Sequence, residues 1–220
     1  MGTIILNPFE IFPVSGIPRN GLVAEYLFSG NADDTSGNGH HGTVSGATLT
    51  TDRHSNPNSA YGFDGLNDSI VTSAFSRGGL GLTVSVWVNP IDTSSDWIVN
   101  QRDNGNASDN WQVVLSGGDT FAELFNGVGA ASIGTTHSYI GWTHLLMTTS
   151  GANGNSFRFY INNVEIGDIN LTADINNVSQ TLRFGRFGWD NLGFYEGSID
   201  DMRLYNRELT TQERTALFDE

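Results

Sequence analysis

The sequence predicts an all-β sandwich with one short helix at its C-terminal end. Three observations carry that prediction. Apolar and polar residues alternate through most of the chain, the period of half-buried antiparallel strands. Its 27 glycines, with abundant Asn, Ser and Thr, cut the alternation into strand-length pieces, and these residue types fit poorly in helix interiors. A helix-capping signature occurs close to the end, ahead of a final apolar run. At 220 residues with no cysteine, the chain suits one β-rich domain carrying at most a short arm.

Residues 1–20 stand apart. Seven large apolar side chains fall between Ile4 and Val14, while Pro8, Pro13 and Pro18 deny them a helix or a central strand. An extended arm is expected there, or else a first edge strand with its connector. From Gly21 the period of two takes over. Leu22, Ala24, Tyr26 and Phe28 share one face of a strand, and Leu82, Val84, Val86 and Val88 share another. Leu145 with Met147, Phe157 with Phe159 and Ile161, Leu182 with Phe184, and Met202 with Leu204 continue the series. Clusters such as SGNADDTSGNGHHG, RDNGNASDN and SGANGNS separate the strands. Asn162-Asn163, between FRFYI and VEI, fits a two-residue hairpin because Asn tolerates the positive φ of a primed turn. Thr210 and Glu213 form a capping box before Ala216, Leu217 and Phe218.

Charge narrows the partners. Twenty-four acidic residues face ten basic ones, every one an arginine, for a formal net charge of −14. Such a surface repels phosphate backbones and anionic lipid, so neither nucleic acid nor membrane insertion is expected. No stretch reaches the ~18 consecutive apolar residues of a membrane span. The absence of cysteine removes disulfide, thiol-nucleophile and zinc-thiolate chemistry together. The first residues lack a basic leader and are broken by proline, so they do not read as a secretory signal.

Six stretches, in order, resemble the laminin G-like group of the concanavalin A-like lectin/glucanase superfamily. They are GLVAEYLFSGNADDTSGNGHHGTVSGATLTTDR, SAYGFDGLNDSIV, LTVSVWVNP, GWTHLLMTTSG, FRFYINNVEIG and GSIDDMRLYNRELTTQERTALF. The resemblance covers residues 21–219 and implies a jelly-roll sandwich of two curved antiparallel sheets, with residues 1–20 as the arm and 21–220 as the sandwich. It also implies a binding module more readily than an enzyme, often with one structural calcium.

The loop from Ala32 to Gly42 gathers oxygen donors on a flexible backbone, which suits either a calcium ion or a turn capped by aspartate side chains. The resemblance implies calcium, held by Asp34, Asn38, the carbonyl of His41, and Asp200, which would point inward with Met202 and Leu204. For a ligand, the aromatic and polar residues of 97–111 and 183–196 have the composition of a sugar site, with rings to stack on pyranoses and polar groups to bond hydroxyls. Trp97, Arg102, Asp103, Arg186, Trp189, Asp190 and Tyr195 are the expected contacts, and the two segments are expected to share one surface. Trp87, Trp111 and Trp142 lie in or beside strands and are expected in the core.

Catalysis has less material. The glucanases of this superfamily carry Glu-x-Asp-x-Glu on one strand, and no such triplet occurs. A lyase-like set of His144, Tyr160 and Arg158 is the alternative. The expectation is therefore a non-catalytic, calcium-stabilised module for a glycan or cell-surface polysaccharide. It would be extracellular or displayed on a virion, with residues 1–20 docking on capsid or tail proteins by adding a strand.

Overall fold

The computed structural model describes residues 16–102, 110–126, 129–188 and 193–220. Two antiparallel sheets pack face to face. The first is built from β1 (Leu22–Tyr26), β3 (Thr48–Thr50), β4 (Ala60–Asp64), β6 (Leu82–Pro90), β11 (Thr143–Thr149), β12 (Ser156–Ile161), β13 (Val164–Asn170) and β15 (Glu196–Tyr205). Its order is β13-β12-β11-β6-β15-β4-β3, and β1 pairs with the second half of β15 where β4 leaves it. The second sheet takes β2 (Gly42–Ser45), β5 (Ser69–Phe75), β7 (Ser95–Gln101), β8 (Trp111–Ser116), β9 (Asp119–Phe125), β10 (Ala130–Thr136) and β14 (Gln180–Phe184). Its order is β10-β9-β8-β7-β14-β5-β2. The jelly-roll expectation holds.

Between the sheets, the alternating apolar residues interdigitate as predicted. Val84, Val86 and Val88 of β6 meet Trp111, Val113 and Leu115 of β8 in one core cluster, with Phe28, Phe184 and Tyr61 packed edge to face. Asn162 and Asn163 take φ of 48° and 60°, the primed hairpin that their sequence promised. The capping box is present: Thr210 accepts from the Glu213 backbone, and the Glu213 carboxylate accepts from the Thr210 backbone. It opens helix α1 (Thr211–Phe218). Among the described residues no helix is long and apolar enough to cross a membrane.

Helix α1 lies on the outward face of the eight-stranded sheet and covers its middle, leaving an open pocket of about 570 Å³ beside it over Arg158, Tyr160 and Glu165. Leu209 and Leu217 pack on Leu146, Tyr160 and Tyr205 in a second, smaller core, with Ile17 and Leu22 at its edge. Phe218 stacks on Trp87 at 5.8 Å between ring centroids. Residues 16–20, assigned to the arm by sequence, therefore belong to the body. Pro18 is buried, and Arg19 pairs with Glu25 at 2.7 Å. The rest of the arm, residues 1–15, lies outside the described residues.

Candidate functional site

The seven-stranded sheet turns a different face outward. Strand register sets two parallel rows of side chains across it. One runs Trp97, Val114, Phe121, Gly134 over β7, β8, β9 and β10. The other runs Arg183, Asn100, Gln112, Glu123, Ser132 over β14 and the same four strands. On β8, β9 and β10 the rows are two residues apart, about 6.8 Å along the strand, so they share a face. An open pocket of about 230 Å³ lies over them, lined by Trp97, Gln112, Val114, Ser116, Phe121 and Glu123.

Each wall has a local cause. A bulge between Trp97 and Val99 puts Ile98 and Val99 both into the core and leaves Trp97 outside. The Trp97 ring leans on Phe187, 4.7 Å between centroids, and its Nε1 donates to Gln112 Oε1 at 2.9 Å. Phe121 lies down across Gly134, where an added Cβ would fall 2.2 Å from the ring. The Gln112 side-chain oxygen also accepts from Arg102 Nη1 at 2.9 Å, and its nitrogen donates to Glu123 Oε2. Arg102 is sandwiched between the rings of Phe125 and Phe187, 4.7 and 5.0 Å from their centroids. The result is a row of two part-exposed aromatic rings, with Val114 between them, running beside a polar row.

The two segments expected to share a surface do meet. Arg183 Nη1 donates to the Arg102 carbonyl at 2.7 Å, and Asn100 Nδ2 to the Arg186 carbonyl at 2.9 Å, because β7 and β14 are neighbours. Trp97 and Arg102 stand at the pocket or its rim. Trp97 belongs to strand β7. Arg186 spends its guanidinium on its own loop, donating to the carbonyls of Phe187 and Gly188 at 3.2 and 2.7 Å. Tyr195 is a correction. It is fully buried against Phe63, with its hydroxyl donating to the Ser198 carbonyl at 3.1 Å, so it packs the core. Asp103, Trp189 and Asp190 lie outside the described residues. Trp111 is core as expected, its Nε1 donating to Gln101. Phe121, Gln112 and Glu123 were not read as site residues; the alternation in DTFAELF, with Phe121 and Glu123 on one face, held the signal.

The calcium set does not come together. The Asp34 carboxylate accepts from the backbone N–H groups of Glu25, Ser36 and His40 at 2.9–3.0 Å. Burial would raise its pKa, but the hydrogen bonds from Ser36, His40 and Glu25 outweigh that and hold it low. Asn38 donates its amide to the Val23 carbonyl at 2.9 Å, and His41 is exposed, its Nδ1 accepting from the Asp34 backbone at 3.2 Å. Asp200 is the clearest departure. The register shift after it, with Asp201 at φ 39°, inserts an extra residue and turns Asp200 outward beside Trp87, its partner on β6. There it accepts from Arg53 Nη1 at 2.8 Å, and Asp201 pairs with the same guanidinium. Among the described residues, no three His, Cys, Asp or Glu are grouped to hold a metal ion. These donors already have partners, and they do not fit one calcium ion.

The lyase-like set is equally occupied. His144 is wholly buried beneath α1, with Nε2 2.7 Å from Ser85 Oγ. Burial, then the charges of Arg53 and Arg203, drive its pKa down to about 3. Tyr160 donates to Glu165 at 3.0 Å and carries the Arg214 guanidinium over its ring. Arg158 pairs with Asp168 and Glu208. A base that is sealed from solvent and a tyrosine engaged to a carboxylate are structural groups.

The sandwich thus has one outer face partly covered by α1, with an open pocket of about 570 Å³ beside the helix lined by Arg158, Tyr160, Glu165, Glu208 and Arg214, and one outer face that carries part-exposed aromatic rings. The model for the concanavalin A-like lectin/glucanases superfamily matches residues 63–213, and the chain belongs to that family. No protein of curated function matches the sequence. Among solved structures, the chain is similar to the binding domain of botulinum neurotoxin DC in complex with SialylT, at 15% identity and a TM-score of 0.70. The same domain in complex with rat synaptotagmin II matches at 14% and 0.70, and the binding domain of Paraclostridial Mosquitocidal Protein 1 at 21% and 0.70. In each case 91% of this chain is covered but only 52% of the other, so the chain spans about half the length of those binding domains. At these identities the likeness is one of fold.

Proposed function

We propose that the protein is a non-catalytic carbohydrate- or surface-binding module whose ligand lies on the outward face of the seven-stranded sheet. The observation that carries this reading is the pocket over Gln112 and Glu123, flanked by the part-exposed rings of Trp97 and Phe121. A pyranose offers an apolar face to such rings and hydroxyls to the polar strip beside them. The similar toxin binding domains support the reading, since they form complexes with SialylT and with rat synaptotagmin II. Catalysis is disfavoured because His144, Tyr160 and Arg158 are engaged by neighbouring side chains, and among the described residues Glu123 is the one carboxylate lining the pocket on the seven-stranded sheet. Display on a virion rests on the apolar sequence of residues 1–15, which would attach the sandwich to a larger assembly and leave its open face outward.

The test is a glycan array probed with the wild type and Trp97→Ala, in calcium and in EDTA. Stacking loss should weaken the bound glycan about tenfold or more while the variant stays folded. EDTA should change neither the binding nor the melting temperature, because the oxygens of Asp34 and Asp200 already have protein partners. Binding that survives Trp97→Ala unchanged would place the ligand elsewhere.

A further inference from the structure

Resting on that reading, we infer that the ligand is an uncharged oligosaccharide, bound through hydroxyls that donate to Glu123, and that sialylated or uronic-acid glycans are excluded. The inference comes from counting what the pocket still offers. Trp97 Nε1 is spent on Gln112 Oε1, and that oxygen also takes Arg102. One N–H of Gln112 Nε2 goes to Glu123 Oε2, and the residue is 3% exposed, so its second N–H offers little to a ligand. The group left with open capacity is the Glu123 carboxylate, which has a second oxygen and spare lone pairs; Ser116 adds a small hydroxyl. Among the described lining residues, the strip therefore accepts more than it donates, and the one charge is negative. A ligand must bring donors. A carboxylate-bearing sugar would bring acceptors and a like charge, toward a protein already at −14.

Extent separates a sugar chain from a compact cation, which would also suit a carboxylate between two rings. Trp97 and Phe121 sit two strands apart, about 9.6 Å, with the part-exposed Glu123 and the exposed Ser132 and Ser116 on the same face. A strip of that length is matched by several linked rings with hydroxyls along one edge. A single ammonium group would leave most of it bare. Arg102, the nearest cation, is clamped between Phe125 and Phe187 and bonded to Gln112, outside the lining.

The experiment titrates the wild type, Glu123→Gln and Trp97→Ala with a neutral oligosaccharide set, a sialylated and uronic-acid set, and tetramethylammonium. Melting temperatures are recorded for each protein. Neutral glycans should bind at least tenfold tighter than acidic ones, and Glu123→Gln should weaken them about ten- to a hundredfold with little change in melting. Acidic glycans preferred by the wild type, lost in Trp97→Ala and unharmed by Glu123→Gln, would overturn the inference and keep the site. Preference for tetramethylammonium would overturn it too. If no glycan binds, or Trp97→Ala changes nothing, the proposed function itself falls, and this inference with it.

Discussion

The two outward faces of this sandwich are made from the same alternating strands, yet a helix covers the middle of one and none covers the other among the described residues. On the eight-stranded sheet α1 lies over Trp87, His144, Leu146 and Tyr205, and the buried charges beneath are paired. An open pocket lined by Arg158, Tyr160 and Glu165 remains beside it. Arg203, 2% exposed, holds Glu25 at 2.9 Å and Glu220 through two hydrogen bonds of 2.6 and 2.7 Å. Burial would push Glu25 up, but the bonds from Arg19, Thr35 and Arg203 hold it below the ordinary carboxylate range. On the seven-stranded sheet the outward polar groups bond one another sideways, and Trp97 and Phe121 keep part of their rings in solvent. Aromatic residues mean cover in the first case and contact surface in the second. What distinguishes them is the next layer, and α1 supplies it for one sheet alone among the described residues.

If the helix-covered face is structural, its charges are the costliest to break. Arg203→Ala takes the buried cation from the buried Glu25, leaving it Arg19, and releases the exposed Glu220, and should cost about 3 kcal/mol in urea unfolding. Ligand binding by the folded fraction should be unchanged. A loss under about 1 kcal/mol would mean that α1 is only loosely held.

A smaller effect separates two titrations under the helix. His144 is held down to about 3 from 6.5, so on acidification the unfolded chain takes a proton that the folded one refuses, and stability falls. Asp200 is pushed up to about 7 from 3.8 by burial and then by Asp201, against the pull of Arg53. Between those values the folded carboxyl keeps a proton that the unfolded chain has lost, so its share of stability is lost as pH rises. From about pH 4 to 6.5 these two contributions oppose each other, so in the wild type they largely cancel and other groups set the remaining slope. Asp200→Asn removes one of them and leaves Asp201 to pair with Arg53. Its stability should then fall by about 1.4 kcal/mol per pH unit on going from about pH 6 to 4. Equal slopes in the two proteins would contradict this assignment.

The fold was legible because it rests on local rules. Period two, Asn162-Asn163 and the Thr210–Glu213 box are each set within a few residues. The site was legible only in part, because its geometry depends on where two strands slip. The bulge at Trp97 and the bulge at Asp200–Asp201 each change which way side chains point, and neither is marked by a glycine or proline. Counting by twos thus turned Asp200 inward toward the Asp34 loop, when the extra residue turns it out to Arg53. Tyr195 was read as a loop aromatic in a polar run, yet it fills the core beside Phe63. Phe121, Gln112 and Glu123 come together through register between β8 and β9, which a linear reading does not display.

The central claim is that the open face, and not the helix-covered one, meets the ligand. Backbone amide shifts of the isotope-labelled protein, followed while a neutral oligosaccharide is added, test it most directly. The shifts should concentrate at Trp97–Gln101, Trp111–Ser116 and Asp119–Phe125, with Thr143–Thr149 and Thr211–Phe218 unmoved. Shifts centred on α1 and the strands beneath it, or on the Asp34 loop, would contradict the account.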